Sequence, residues 1–121
     1  MKALFDTNIL IDYLNGIEQA RLELRRYDQP LISPISWMEV LVGTNHEDEP
    51  LVQRFLARLQ PVPIDQAVAE HAITLRKTYR MRLPDAIIWA SAKTSGALLV
   101  SRNTRDFPAS EPDVRIPYSI P

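Results

Sequence analysis

The chain has 121 residues, of which 45% are hydrophobic and 24% charged, and its net charge at pH 7 is −1. A chain of this length and composition can form one compact domain with its own hydrophobic core, so a single domain over residues 1–121 is expected. The balanced charge excludes a strong overall field for attracting nucleic acid, although a local basic face remains compatible with it. The absence of cysteine excludes disulfides and thiolate-based metal or redox sites.

The apolar runs along the chain are all short. The first, at Lys2–Phe5, is too short for the core of a signal peptide, and the run at Leu98–Val100 is far too short to span a bilayer. We therefore expect a cytoplasmic protein that makes no membrane contact.

Short apolar runs alternate with longer stretches of helical periodicity. Taken in chain order, the predicted elements are a strand at Lys2–Phe5, helices at Asn8–Asn15 and Ile17–Tyr27, a strand at Leu31–Ser33, a helix at Pro34–Gly43, a helix from Pro50, an edge strand at Pro61–Ile64, a helix from Asp65 to about Arg80, a helix from Pro84 to Gly96, a strand at Ala97–Val100 and a short strand at Val114–Ile116. This alternation is typical of parallel βα units. It predicts the α/β class, as a three-layer α/β/α sandwich around a mostly parallel central sheet.

Four carboxylates occupy positions where an uncompensated charge is unfavourable. Asp6 ends the first predicted strand, Glu39 lies in an apolar helix, Asp85 lies in the first turn of another, and Asp106 follows the fourth strand. In open parallel sheets, ligand sites form beyond the carboxyl ends of the strands, so these four groups are expected to meet at one edge. Because isolated buried carboxylates are costly, a shared divalent metal is the simplest hypothesis.

The chemistry of such a cluster indicates a reaction class. Gathered carboxylates raise one another's affinity for protons, and a divalent cation relieves that repulsion. An all-oxygen donor set favours Mg²⁺ or Mn²⁺ over Zn²⁺, and such a metal can activate water and hold a phosphodiester. Each residue alone also has a structural interpretation: Asp6 and Asp85 as helix-start residues, Glu39 as a solvated helix residue, and Asp106 as a turn residue.

The order of these acidic segments resembles the PIN-domain family. The resemblance rests on four motifs, namely residues 5–11 (Phe-Asp-Thr-Asn-Ile-Leu-Ile), 36–39 (Ser-Trp-Met-Glu) with Gly43, 83–90 around Pro84-Asp85-Ala86, and 101–107 (Ser-Arg-Asn-Thr-Arg-Asp-Phe). The match runs from Lys2 to about Phe107, and together the motifs are specific. Within the family, the short chain is similar to VapC-type toxins of bacterial toxin–antitoxin pairs.

The resemblance implies a single PIN-like nuclease domain with Mg²⁺- or Mn²⁺-dependent endoribonuclease activity. It also implies a homodimer that is neutralised by a small antitoxin protein. In this interpretation Asp6, Glu39 and Asp85 are the main metal ligands and belong, with Asp106, to the catalytic set. The residues that would orient a carboxylate or a bound water are Thr7, Ser101 and Asn103. Because some members carry an acid where this chain has Asn103, the fourth position is open between Asn103 and Asp106, and so is the number of metals.

The residues that could contact RNA are less clearly marked in the sequence than the acidic residues. Arg102 and Arg105 flank the fourth motif, where they either contact phosphates or remain solvated loop charges. Trp37 and Trp89 can stack on bases, but their apolar helical positions predict core residues instead. An arginine of the antitoxin is hypothesised to replace the positive charge of the metal in the acidic groove.

The sequence is also compatible with two other interpretations. A haloacid dehalogenase-type phosphatase also opens with a strand that ends in aspartate, but Asn8 stands where that family usually places its second aspartate. The alternative kept open is a non-catalytic PIN-like module that binds RNA or protein. The three acidic motifs argue against it, because bare carboxylates do not help to bind a polyanion. Ile11 and Leu14 belong either to a dimer face or to the core.

Overall fold

The computed structural model describes residues 1–120, and Pro121 lies outside the described residues. The elements in chain order are β1 (Lys2–Phe5), α1 (Thr7–Leu14), α2 (Glu18–Arg25), β2 (Gln29–Ile32), α3 (Pro34–Val42), α4 (Glu49–Leu56), β3 (Gln60–Pro61), α5 (Gln66–Tyr79), α6 (Leu83–Thr94), β4 (Leu98–Val100) and β5 (Val114–Arg115). Local sequence explains three of the six helix starts. Asp6, Ser33 and Asp65 cap α1, α3 and α5 through side-chain oxygens.

The strands form one sheet in the order β3-β2-β1-β4-β5, and every pairing in it is parallel. β1 is therefore central, with Leu4 aligned to Leu31 of β2 and to Leu99 of β4. Because successive strand residues point to opposite faces, Leu4 packs with α5 and α6, while Ala3 and Phe5 pack with the other four helices. The predicted α/β/α sandwich is confirmed, and the sheet is entirely parallel.

The first residues after β1, β2 and β4 lie together at the carboxyl edge of the sheet. Asp6 follows β1, Ser33 follows β2, and Ser101 follows β4, and the backbone N–H of Asp6 donates to the carbonyl of Val100 at 2.9 Å. Helices α1 and α3 begin directly at this edge, so their first turns are close to the end of β4. The four carboxylates at positions 6, 39, 85 and 106 are predicted from the sequence to meet at this edge.

Some sequence-based expectations need correction. The third strand is only Gln60–Pro61 and not Pro61–Ile64, because proline has no N–H to continue the ladder; the strand does lie at the edge of the sheet, as expected. Trp37 was expected in the core but is 44% exposed, since it lines an open surface groove with Ile32, Leu56 and Pro61. Leu14 is likewise partly exposed, whereas Trp89 is fully buried as predicted.

Among residues 1–120, no helix combines the length and apolarity needed to cross a membrane.

Candidate active site

Asp6 lies at the centre of the carboxyl edge of the sheet and is 5% exposed. One carboxylate oxygen, Oδ1, accepts the backbone N–H of Thr7 at 2.8 Å and so caps α1. The other, Oδ2, accepts the hydroxyl of Ser101 at 2.7 Å and the side-chain amide of Asn8 at 3.1 Å. Both oxygens are thus held in place by donors from α1 and from the end of β4.

The Asp6 carboxyl has an unusual proton affinity. Burial raises its pKa from 3.8 to about 6, against the opposing effect of the hydrogen bonds from Ser101 and Thr7. The negative charges of Asp85 and Glu39 raise the pKa further, because each repels the ionised form of Asp6. A buried carboxyl that faces two other carboxylates is the electrostatic signature of a site that a cation can stabilise.

Glu39 reaches this site from α3. Its Oε1 accepts the hydroxyl of Thr7 at 2.6 Å, and the same hydroxyl lies 2.9 Å from the Oγ of Ser36, which is fully buried. Ser36 precedes Glu39 by about one helical turn, so both side chains lie on the face of α3 that meets α1. Thr7 therefore links the first two motifs by a contact to Glu39, which lies 32 positions further along the chain.

Asp85 is 7% exposed in the first turn of α6. Burial raises its pKa, while the adjacent Arg82 guanidinium lowers it and the charges of Asp106 and Glu39 raise it, with a net upward shift. The Arg82 Nε and Nη2 atoms each lie 3.3 Å from Oδ2 of Asp85, and the Arg82 side chain is 77% exposed. Arg82 thus neutralises part of the acidic cluster from its solvent side.

The fourth motif forms a compact loop after β4. The Oγ of Ser101 accepts the backbone N–H of Asn103 at 2.9 Å while its own hydroxyl donates to Asp6. The side-chain amide of Asn103 donates to Oδ2 of Asp106 at 2.7 Å, and its Oδ1 accepts the N–H groups of Arg105 and Asp106 at 3.2 Å. Asn103 therefore holds Asp106, and Asp106 in turn acts electrostatically on Asp85.

The two arginines of this loop have different surroundings. Arg105 is exposed, and none of the salt bridges within residues 1–120 includes it. Arg102 instead donates from Nε and Nη2 to both carboxylate oxygens of Asp12, at 2.6 and 2.9 Å. Of the two residues predicted to contact RNA, Arg105 has a free guanidinium and Arg102 has an internal partner.

The donor set fits an oxygen-coordinated divalent cation. Asp6, Glu39 and Asp85 supply carboxylates whose mutual repulsion a Mg²⁺ or Mn²⁺ ion would relieve, with Asp106 next to Asp85. Within residues 1–120, no three acidic or histidine side chains are already gathered tightly enough to hold a metal. A cation would therefore have to draw the acidic side chains closer together than they now lie.

Comparison with known proteins identifies the family. Residues 3–109 match the PIN domain, which is most of the chain and includes all four acidic positions. The chain belongs to the PIN-domain family. Among curated proteins, no match to this PIN-domain chain is found.

Solved structures agree with this assignment. A chain in a toxin–antitoxin complex from Klebsiella pneumoniae superposes with a TM-score of 0.92 at 43% identity, over 98% of this chain and 99% of that one. A DNA-bound VapBC from Salmonella typhimurium (TM-score 0.78, 24% identity, 95% and 96% covered) and VapBC2 from Rickettsia felis (0.75, 21%, 94% and 96%) share the fold. The predicted resemblance to PIN-domain proteins of VapC type is confirmed.

Several residues of the PIN-domain site were not selected from the sequence as site residues. Asn8 and Ser36 make contacts within the site, and Arg82 pairs with Asp85. Asn8 and Ser36 lie within the first two motifs and Arg82 lies directly before the third, and these positions are the signal that the sequence offers for them. Asp12 was also missed, because its partner Arg102 lies 90 positions away in the chain.

Proposed function

We propose that this PIN-domain chain is a VapC-type toxin that hydrolyses RNA phosphodiesters as a Mg²⁺- or Mn²⁺-dependent endoribonuclease. The single observation that carries the proposal is the buried carboxyl of Asp6, whose pKa is raised to about 6 beside Asp85 and Glu39. The cost of holding such a group in the fold is compensated when a divalent cation binds there. The 43% identical chain from a toxin–antitoxin complex supports the assignment to toxins.

The residues have separable roles in this proposal. Asp6, Glu39 and Asp85 would hold the metal, and Asp106 would complete the acidic set beside Asp85. Thr7 and Ser101 orient the carboxylates of Glu39 and Asp6 through hydrogen bonds of 2.6 and 2.7 Å, so these oxygens are directed before substrate arrives.

The bound metal would supply an activated water and charge stabilisation at the phosphodiester. The chain's own cations would position the RNA backbone. Arg105 is exposed beside the fourth motif, and the Arg82 guanidinium is 77% exposed beside Asp85. In this proposal both guanidinium groups contact a phosphate that enters the acidic groove, and their positive charge compensates part of the repulsion between the acids and RNA.

The test is cleavage of total cellular RNA by purified protein with Mg²⁺ or Mn²⁺, with EDTA as the metal-free arm. Asp6→Asn and Asp85→Asn remove one charge each with almost no change in volume. Since Asn at position 6 still caps α1, its fold should survive. We expect both variants to lose at least about 100-fold in rate, as is usual when a metal ligand is removed.

A matched control separates the site from general acidity. Glu70 is exposed on α5, away from the acidic edge, so Glu70→Gln should cleave like the wild type. Metal-dependent cleavage that survives in Asp6→Asn and Asp85→Asn would contradict the proposed site. Absence of cleavage by folded, metal-loaded wild type, together with retained RNA binding, would favour the non-catalytic binding module.

The proposal includes two protein partners, a cognate antitoxin and a second copy of the chain. Exposed apolar side chains on α1, α3 and α4 provide surface for such contacts, and these are Ile11, Leu14, Trp37, Met38, Val42 and Leu51. Three of them, Ile11, Leu14 and Leu51, line a groove of about 450 Å³ together with Val40. The antitoxin is expected to abolish cleavage on co-purification, and an antitoxin that binds without changing cleavage or metal affinity would contradict this part.

A further inference from the structure

A second buried carboxylate lies outside the acidic cluster. Asp12 is 4% exposed on α1 and accepts three hydrogen bonds from side chains of two distant segments. Two come from the guanidinium of Arg102, at 2.6 and 2.9 Å, and one comes from the Tyr118 hydroxyl at 2.8 Å. The metal site proposed above assigns no role to this group.

Stability alone is a weak reason for such an arrangement. Burying two charges costs several kcal/mol of desolvation, and well-packed apolar side chains of similar volume are often at least as stabilising. What a two-pronged carboxylate–guanidinium pair supplies is a fixed geometry, because both oxygens and both nitrogens are constrained. We therefore expect the Asp12 carboxylate to fix the position of the segment that carries its arginine partner.

The group that it holds is the loop of the fourth motif. Arg102 lies between Ser101, which donates to Asp6, and Asn103, which donates to Asp106. The backbone N–H of Arg102 also lies 3.4 Å from the Oδ1 of Asn8 on α1. The Asp12–Arg102 pair thus ties the loop at residues 101–106 to the same helix that Asp6 caps.

We propose that Asp12 is a positioning residue whose pair with Arg102, closed by Tyr118, keeps residues 101–106 in the conformation that directs Ser101 at Asp6 and Asn103 at Asp106. This assigns Arg102 to the architecture of the site and leaves Arg105 as the RNA-contacting arginine of the loop. The inference rests on the proposed function, because the loop matters for activity only if the acidic cluster is catalytic.

The chain contains a matched control for this pair. Glu23 on α2 is also 4% exposed and accepts two bonds from Arg115, at 2.6 and 3.0 Å, and one from the Tyr27 hydroxyl at 2.8 Å. Glu23 makes no hydrogen bond to the loop at 101–106, and Arg115 meets that loop only through its backbone carbonyl, which accepts from Ser101 at 3.1 Å. Glu23→Gln therefore imitates the loss of a buried carboxylate without freeing the loop.

The experiment compares Asp12→Asn with Glu23→Gln by three readouts. Amide hydrogen exchange reports the order of the loop through the N–H groups of Asn103 and Asp106, which are bonded to Ser101 and Asn103. Calorimetric titration with Mn²⁺ reports metal affinity. Steady-state RNA cleavage reports kcat and KM.

In Asp12→Asn we expect amide exchange at Asn103 and Asp106 to be about 10-fold faster than in the wild type, after correction for global unfolding. The Mn²⁺ affinity and kcat should each be about 10-fold lower than in the wild type, while KM should stay within about 2-fold. Glu23→Gln should leave all of these within about 2-fold after correction for global stability. Arg102→Lys keeps the charge but loses the paired geometry, so it should fall between wild type and Asp12→Asn. If Asp12→Asn does not fold, Arg102→Lys carries the comparison.

The inference is overturned if Asp12→Asn, or Arg102→Lys in its place, behaves like Glu23→Gln in exchange and metal affinity. Failure of the proposed function gives a different result. In that case wild type cleaves no RNA, while exchange at Asn103 and Asp106 still reports whether Asp12 holds the loop.

Discussion

At the scale of single residues, Asp6 combines three physical roles in one side chain. It caps α1, it faces two other carboxylates, and its burial raises the pKa to about 6. The helix cap stabilises the folded state, whereas burial of the ionised carboxylate destabilises it. Because the fraction of Asp6 that is ionised changes with pH, the net contribution of Asp6 to stability also changes with pH. The proposed metal shifts this balance toward the ionised form.

This balance predicts how the stability of the metal-free protein depends on pH. The pKa of Asp6 is higher in the folded state, about 6, than its ordinary value of 3.8, so the folded state binds more protons between these values. Stability is therefore greatest below about pH 4 as far as this group is concerned, and it is lost as pH rises through about 6, by up to about 3 kcal/mol. Urea denaturation in EDTA, at pH 5 and pH 7.5, measures the part of this loss that falls between those two pH values.

Asp6→Asn is the control for this prediction, because it removes the titrating group and keeps the helix cap. The variant should be the more stable protein at pH 7.5, with a smaller difference between the two pH values. An equal pH dependence in variant and wild type would show that other groups cause it.

A second residue-scale prediction concerns Ser101, which is fully buried and donates to Asp6. Ser101→Ala removes that donor and leaves the N–H of Asn103 without its acceptor, so we expect a loss of about 1–3 kcal/mol in the free energy of unfolding. The Asp6 pKa should also rise, since the hydrogen bond lowers it. Urea denaturation at several pH values measures both effects, and an unchanged pH profile would contradict the second.

At the scale of elements, the beginning of α3 sets the position of two site residues. Ser33 caps this helix by accepting the N–H of Ile35 at 3.1 Å, and Pro34 has the backbone angle that a first helical turn requires. From that start, Ser36 and Glu39 follow at helical spacing and meet Thr7 of α1. The cap therefore influences the site through the direction of the whole helix.

Ser33→Ala tests this dependence. The variant should lose about 1–2 kcal/mol of stability, because the cap is buried and the N–H of Ile35 is left unpaired. Asp48 begins α4 without a side-chain cap bond, so Asp48→Ala should cost only a few tenths of a kcal/mol. Thermal denaturation of the two variants compares them, and equal losses would refute the cap's contribution.

At the scale of the whole molecule, the two layers of helices differ in what they expose. The layer with α1, α3 and α4 carries several exposed apolar side chains, among them Val42 at 87% and Leu51 at 64%. In the opposite layer the exposed large apolar side chains are fewer, namely Ile73 at 51%, Leu83 at 46% and Tyr79 at 39%. Since clustered apolar exposure marks interaction surfaces, we expect the proposed homodimer to bury the first layer.

Sedimentation equilibrium tests this expectation. Wild type should sediment as a dimer, Leu51→Glu should shift toward the monomer, and Ile73→Glu, a matched change on the other layer, should remain dimeric. A dimer that is lost only in Ile73→Glu would place the interface on the opposite layer, and a monomeric wild type would contradict the homodimer itself.

The sequence by itself determined the class of fold and predicted which acidic residues form the site. Alternating apolar runs and helical patterns are local signals, so β1, α1, α6 and β4 were predicted almost to the residue. The shortest strands were less predictable. Gln60–Pro61, for example, is a strand only because it pairs with β2, and two residues are too few to show a strand pattern of their own. The acidic set could be predicted because each carboxylate interrupts an apolar segment next to a predicted junction.

Tertiary structure alone decided which side chains meet. Helical periodicity placed Trp37 in the core, but the orientation of α3 against the sheet leaves it 44% exposed. Arg102 is a candidate RNA contact in the sequence because it flanks the fourth motif, whereas the fold brings Asp12 to it from 90 positions away. Apolar pattern is a property of neighbouring residues and can be read along the chain, but the pairing of distant charges depends on how whole elements pack, which no local pattern encodes.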